Sequence, residues 1–238
     1  MGGNYMRGAL VEFMPTFLIP LPNVIIFQFN PETMTHRWTQ PEAASSTPGG
    51  NPLAVKGVPG EAFSFTLVMD AADMISDGSP VAQGIAQTTG IYTRLAALEM
   101  LQYPTGAFSG GGLVGSVSAA AGAAGAAIGG GTSAPTARDV PQSQVPTVLF
   151  VWGPGRILPV RITGLSITEK LYDPLLNPIH AEASVDMRVL TPDELQAVSG
   201  PLADVAKVAY TYSQGLRQAL ALANLANAVE SIIGMLPV

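Results

Sequence analysis

The chain has 238 residues, of which 47% are hydrophobic and only 12% charged, about half the charged share of an ordinary soluble domain. The apolar content excludes a wholly disordered protein. The net charge of −6, with eleven scattered Lys and Arg, excludes the basic footprint of a nucleic-acid binder. The absence of cysteine excludes disulfides, thiolate nucleophiles and thiolate metal sites.

In chain order, residues 10–29 are apolar enough to test as a signal or anchor. Glu12 interrupts them, Pro15, Pro20 and Pro22 break any helix, and no small-residue cleavage site follows, so neither a secretion signal nor an anchor is expected. Within this stretch Asn23 to Asn30 reads as a strand, with Ile25, Phe27 and Phe29 on one face. His36 follows it among Thr and Arg and reads as a surface position. Ala62 to Asp70 alternates cleanly: Phe63, Phe65, Leu67 and Met69 oppose Ser64 and Thr66.

Residues 91–102 place Ile91, Leu95, Leu98 and Leu101 on one helical stripe. Residues 106–134 are rich in Gly and Ala and carry no charge. They are long enough to span a bilayer, but their weak transfer energy and many glycines favour a flexible insertion. Val145 to Trp152 is apolar on both faces, as in a central strand. Gly153-Pro154-Gly155 then predicts a tight turn into Leu158–Leu171. There Leu158, Val160 and Ile162 change parity at Gly164 to Leu165, Ile167 and Leu171, which predicts a bulge or bend that hands the apolar side to another layer. Tyr172-Asp173-Pro174 through Asn177-Pro178 supplies a broader loop into the alternating strand Ala181–Leu190. Residues 145–190 therefore read as a three-strand antiparallel meander.

Thr191-Pro192-Asp193-Glu194 carries a capping box with Pro at the first helical position. After Gly200-Pro201, apolar residues recur at threes and fours from Leu202 through Val205, Ala209, Tyr212, Leu216, Val229 and Ile233. A long helix with a small-residue seam follows, docked either on its own domain or on a neighbour. Leu202, Val205, Tyr212, Leu216, Val229 and Ile233 are its candidate assembly residues. The expected organisation is a β domain over 1–190 with an insertion at 106–134, then a helical extension over 191–238.

The search for chemistry yields little. His36 and His180 lie in unrelated segments, and Asp70, Asp73 and Asp77 lack the ligand density of a calcium loop. No phosphate loop, HExxH or GxSxG motif occurs. No catalytic, cofactor-binding or metal-binding residue is expected, and no cofactor.

Val24 through Thr33, an apolar strand running into Phe27-Gln28-Phe29-Asn30-Pro31-Glu32, resembles the opening motif of the tube-domain proteins of contractile injection systems, the phage-tail-like particles. Phe63 and Phe65 stand in the next block that is similar to that family. The stretch from Pro146 to Trp152-Gly153 resembles its PxVxFxWG strand, and Tyr172-Asp173-Pro174 its turn into the last strand. The resemblance implies a mainly β (α+β) fold, a tail-tube-like antiparallel barrel or sandwich with one packed helix and a long C-terminal helix. It implies a homo-oligomeric ring, commonly a hexamer, that adapts the spike or hub to the inner tube or initiates the tube. Partners would be copies of itself, the inner tube protein, the spike and other baseplate subunits, assembled in the cytoplasm without nucleic acid or membrane. Many relatives carry a LysM module where this chain has its Ala/Leu-rich helix, so that role does not transfer. Three alternatives stand beside this reading: a barrel that binds a small apolar ligand, a subunit that associates with membranes through 106–134, and an enzyme. A polar pocket holding His36 or His180 beside a carboxylate would favour the last.

Overall fold

The computed structural model describes residues 6–14, 21–41, 53–72, 88–103, 145–198 and 203–235. Seven strands form one antiparallel sheet: β1 (Ala9–Met14), β2 (Leu21–Ile26), β3 (Met34–Thr39), β4 (Gly60–Asp70), β5 (Val148–Val151), β6 (Ile157–Tyr172) and β7 (Pro178–Val189), in the order β2-β1-β5-β6-β7-β4-β3. Three helices accompany it: α1 (Tyr92–Met100), α2 (Pro192–Ala197) and α3 (Ala203–Met235). The fold is mainly β, of the α+β kind.

The period-two pattern sets which side chains go inward. In β4, Phe63, Phe65, Leu67 and Met69 are buried while Ser64 and Thr66 are exposed. In β7, Ala181, Ala183, Val185, Met187 and Val189 are buried opposite them. Phe150 of β5 lies three places from β4 in the sheet, which would separate them by ~14 Å if the sheet were flat. Its ring instead sits 5.4 Å from Phe63 and 5.7 Å from Phe65, centroid to centroid. The sheet is therefore curled. Phe27 closes the cluster at 5.5 Å from Phe65 and 6.3 Å from Trp152.

The parity change in β6 has a different outcome from the one expected. The register steps from Ile162↔Met187 to Gly164↔Asp186, so β6 spends two residues where β7 spends one. This bulge returns Leu165 and Ile167 to the same core as Leu158, Val160 and Ile162. Among the described residues no second layer receives them. The 153–155 turn is as expected: Trp152 N–H donates to the Arg156 carbonyl at 2.8 Å, and Gly153 takes φ +69°.

Helix α1 adds Leu95 and Leu98, with Ile91 and Leu101 at its ends, to the inner core. It is tied to β7 by Ile91 N–H, which donates to the Pro178 carbonyl at 2.9 Å. Gly90 makes this approach possible. Its φ is +58°, and a Cβ there would lie 2.2 Å from the Pro178 oxygen.

A second, smaller core lies on the outer face of the sheet. Leu149 and Leu190 meet Leu195 of α2 and Ala206 and Ala209 of α3. Small residues let α3 approach closely, and Ser213, 1% exposed, completes the seam. Its hydroxyl donates to the Ile157 carbonyl at 2.7 Å and accepts from Ile157 N–H at 3.2 Å. The helix thus docks on its own domain along Ala206, Ala209 and Ser213. That face differs from the expected stripe: Val205 and Tyr212 point outward, Leu216 is half-buried, and residues 218–225 are exposed all round. Val229 and Ile233 fall within α3, whereas Leu202 lies outside the described residues.

Two strands escaped the sequence reading. Residues 9–14 form β1, and residues 34–39 form β3. His36 is consequently no plain surface residue; it lies in β3, half-buried and stacked on Phe63 at 4.2 Å. Strand β2 ends at Ile26, before Phe27, so Phe29 does not share the inward face of Ile25 and Phe27 and is 44% exposed.

Candidate assembly surface

The segment 27–33 joins the two edge strands, β2 and β3, and its side chains act as substitutes for strand pairing. Phe27 enters the core, and its N–H donates to the Gly8 carbonyl at 2.8 Å. The Asn30 amide accepts from Gly8 N–H and donates to the Met6 carbonyl, each at 2.9 Å. Gln28, 7% exposed, grips β4: its Nε2 donates to the Asp70 carbonyl at 2.8 Å and its Oε1 accepts from Asp70 N–H at 2.9 Å. The sequence marks Gln28 only as a lone amide between two phenylalanines in the Phe27 to Glu32 motif, with no sign of its grip on Asp70.

Phe29, Asn30, Pro31 and Glu32 form one wall of a groove whose cavity measures about 820 Å³. Its floor is the outer face of β4 and β7, including Val68, Asp70, His180 and Glu182. His180 Nδ1 lies 3.1 Å from Asp70 Oδ2, and Lys170 is paired with Glu182. This is the histidine–carboxylate pairing that an enzyme would show. An imidazole oriented by a carboxylate serves catalysis when it faces a nucleophile. The hydroxyl at hand, Thr66 Oγ1, is bonded to Ser184 Oγ at 3.1 Å. Among the described residues no group of three or more His, Asp or Glu is placed to hold a metal ion.

The β6–β7 turn stands at the same end of the sheet. Asp173 Oδ1 accepts from the N–H groups of Leu175 and Asn177, and its Oδ2 accepts from Asn177 Nδ2, all at 2.8 Å. These bonds hold the Asp173 carboxyl below its ordinary range. Tyr172 is half-exposed, and a hydrogen bond to Glu169 raises its phenol pKa. Pro174 is exposed. The turn presents Leu175 and Leu176, both more than three-quarters exposed, and Leu176 adopts φ +65°. A tip held rigidly and tipped by two leucines is suited to contact with another protein.

At the opposite end, Glu61 of β4 is buried and receives two residues. Arg217 of α3 donates to its carboxylate through both guanidinium nitrogens, one at 2.8 Å, and His36 Nε2 approaches at 2.7 Å. The same guanidinium lies 5.0 Å from the Trp38 ring centroid. Strands β3 and β4 and helix α3 are thereby joined at one point.

The sequence-predicted residues thus divide. Phe27, Phe63 and Phe65 are core, Trp152 packs half-buried against them, and Gly153 makes its turn. Phe29, Asn30, Pro31 and Glu32 line the groove, and Tyr172, Asp173 and Pro174 build the tip. Further apolar exposure lies at Val24 and Ile26 on edge strand β2, at Trp38 on edge strand β3, and at Leu220, Leu222 and Leu225 of α3. No helix among the described residues is long and apolar enough to cross a membrane; residues 106–134 lie outside them. No protein-family model matches the chain, and no curated protein matches it.

Proposed function

We propose that this chain is a structural subunit of a contractile injection system baseplate, forming a ring that adapts the spike or hub to the inner tube or initiates the tube. The observation that carries the reading is the pair of sheet edges with which, among the described residues, no further strand pairs. Strands β2 and β3 end the sheet on either side, are consecutive in the chain, and expose Val24, Ile26 and Trp38. A soluble sheet protects such edges, and repetition around a ring does so by placing the edge of one copy against the next. The segment between them holds the Phe-Asn-Pro-Glu motif on which the family resemblance rests. The interior is filled by Phe27, Phe63, Phe65 and Phe150, which leaves the small-ligand barrel without support. In this role the protein transmits load and matches symmetry, without covalent chemistry, and its partners are its own copies, the tube protein and the spike.

The test is cryo-electron microscopy of tail-like particles carrying a tagged copy of this subunit, with mass photometry of the isolated chain. The expected result is a single ring between spike and tube. A chain that is absent from such particles and stays monomeric at all concentrations overturns the reading.

A further inference from the structure

Strand β4 carries a gap in its pairing. Strand β3 accompanies it only as far as Met34↔Phe65, and the Gln28 amide takes up the main chain of Asp70 on that same side. In an extended strand, alternate residues direct both N–H and C=O to one side. Asp70 points them toward Gln28, so Val68 and Thr66 point theirs the same way. Among the described residues no strand pairs with that side of Thr66 and Val68. The groove of about 820 Å³ opens beside these two residues, where the segment 29–33 swings away from β4. Its size falls within the range of ligand-binding clefts.

We propose that this notch takes a short extended polypeptide segment from a partner protein, which pairs through its main chain with Thr66 and Val68 and sets a Lys or Arg among Glu32, Asp70 and Glu182. Strand addition at an open edge supplies the main-chain part of such recognition, and side-chain pockets supply its selectivity. Three carboxylates line the groove, and Lys170 and His180 answer only Glu182 and Asp70. The groove therefore keeps a net negative charge that a cationic side chain complements. The described cations beside these carboxylates, Lys170 and His180, are already engaged with Glu182 and Asp70, so the complementary charge is assigned to another polypeptide. This inference does not depend on the baseplate reading.

The test uses amide NMR of the full ¹⁵N-labelled chain with the probe acetyl-Thr-Val-Lys-Val-Thr-amide and the same peptide bearing Glu in place of Lys. In the free protein the Thr66 and Val68 amides should exchange at least tenfold faster than those of Ser64 and Asp70. The Lys peptide should shift and protect both amides, and the Glu peptide should bind at least tenfold more weakly. The double variant Glu32→Gln/Glu182→Gln, or added salt with the native chain, should weaken the Lys peptide about fivefold or more. Equal binding of the two peptides, or no shift with either, overturns the proposal. Protection of Thr66 and Val68 that grows with protein concentration alone would mean that a second copy fills the notch, and also overturns it.

Discussion

Arg217 and Glu61 are 156 residues apart in sequence, yet the guanidinium of one closes on the carboxylate of the other, with one bond at 2.8 Å. The Glu61 side chain is only 3% exposed, against 29% for Arg217. A carboxylate so buried needs its partners, because removing one leaves an uncompensated charge in a poorly solvated place. Arg217→Ala should therefore destabilise the chain by ~3 kcal/mol in urea unfolding, at the lower end of the range for broken buried pairs because His36 still contacts Glu61. Removing both charges with Glu61→Leu/Arg217→Met should recover most of that loss. Equal losses in the single and double variants would show that the pair is not what fixes α3.

The aromatic cluster makes a graded prediction. Phe150 is fully buried among Phe63, Phe65 and Trp152, so Phe150→Ala should cost ~3–5 kcal/mol. Trp152 is half-buried at the rim, and Trp152→Ala should cost less, ~2–3 kcal/mol. Chemical denaturation of the two variants side by side checks the order.

Two glutamates should respond to acid in opposite directions. Bidentate hydrogen bonds from Arg188, at 2.7 and 2.9 Å, hold the Glu194 carboxyl at about 2. Its folded pKa lies below the unfolded value, so its stabilisation is present above about pH 4.5 and is lost as pH falls toward 2. The pair is more than one-third exposed, so solvent screening reduces this to ~1 kcal/mol. Glu12 is the reverse case: burial pushes its carboxyl up, with Asn23 offsetting part of the effect. Its folded form favours the proton, so it costs stability as pH rises above the unfolded value. Glu12→Gln should raise the denaturation midpoint at pH 7 and leave it nearly unchanged at pH 3, whereas Glu194→Gln should lower it at pH 7.

Gly90→Ala tests the tie between α1 and β7. The substitution meets both a left-handed backbone and a carbonyl oxygen 2.2 Å from the new Cβ. A loss of ~2–4 kcal/mol is expected, with faster amide exchange at Ile91, whose N–H bonds to Pro178. Gly153→Ala meets open space and should lose only ~1 kcal/mol, for its positive φ.

Much of the sheet was legible because its pattern is local. The alternation in β4 and β7, the Gly153 turn and the Thr191 capping box each depend on neighbours a few residues away, and each is found. Strands β1 and β3 were missed for two reasons. Prolines and an apolar run disguised the first, while the second shows a burial pattern with little contrast. The bulge at Gly164 was visible, but its consequence was not, since only the pairing with Asp186 shows which face follows. The small-residue seam of α3 was legible, Ala209 included, but Ala206 and Ser213 share its docked face where Val205 and Tyr212 were expected, because small side chains let the helix approach closely. Gln28 gave almost no signal, because its role is to imitate a missing strand at Asp70, far along the chain.

The curled sheet has a further consequence for the order in which the molecule folds. Strands β5, β6 and β7 follow one another through short turns, whereas β1 joins β5 across more than half of the sequence. Closing that long loop carries the larger entropic cost, so the meander should form first and the β1–β2 hairpin should dock late. Pulse-labelled hydrogen exchange should protect β6 and β7 amides before those of β1 and β2, and simultaneous protection would contradict this order. The chain would then finish its outermost strand only after its interior has closed, which keeps the exposed Val24 and Ile26 of that strand from presenting a formed edge while the protein is still vulnerable to aggregation.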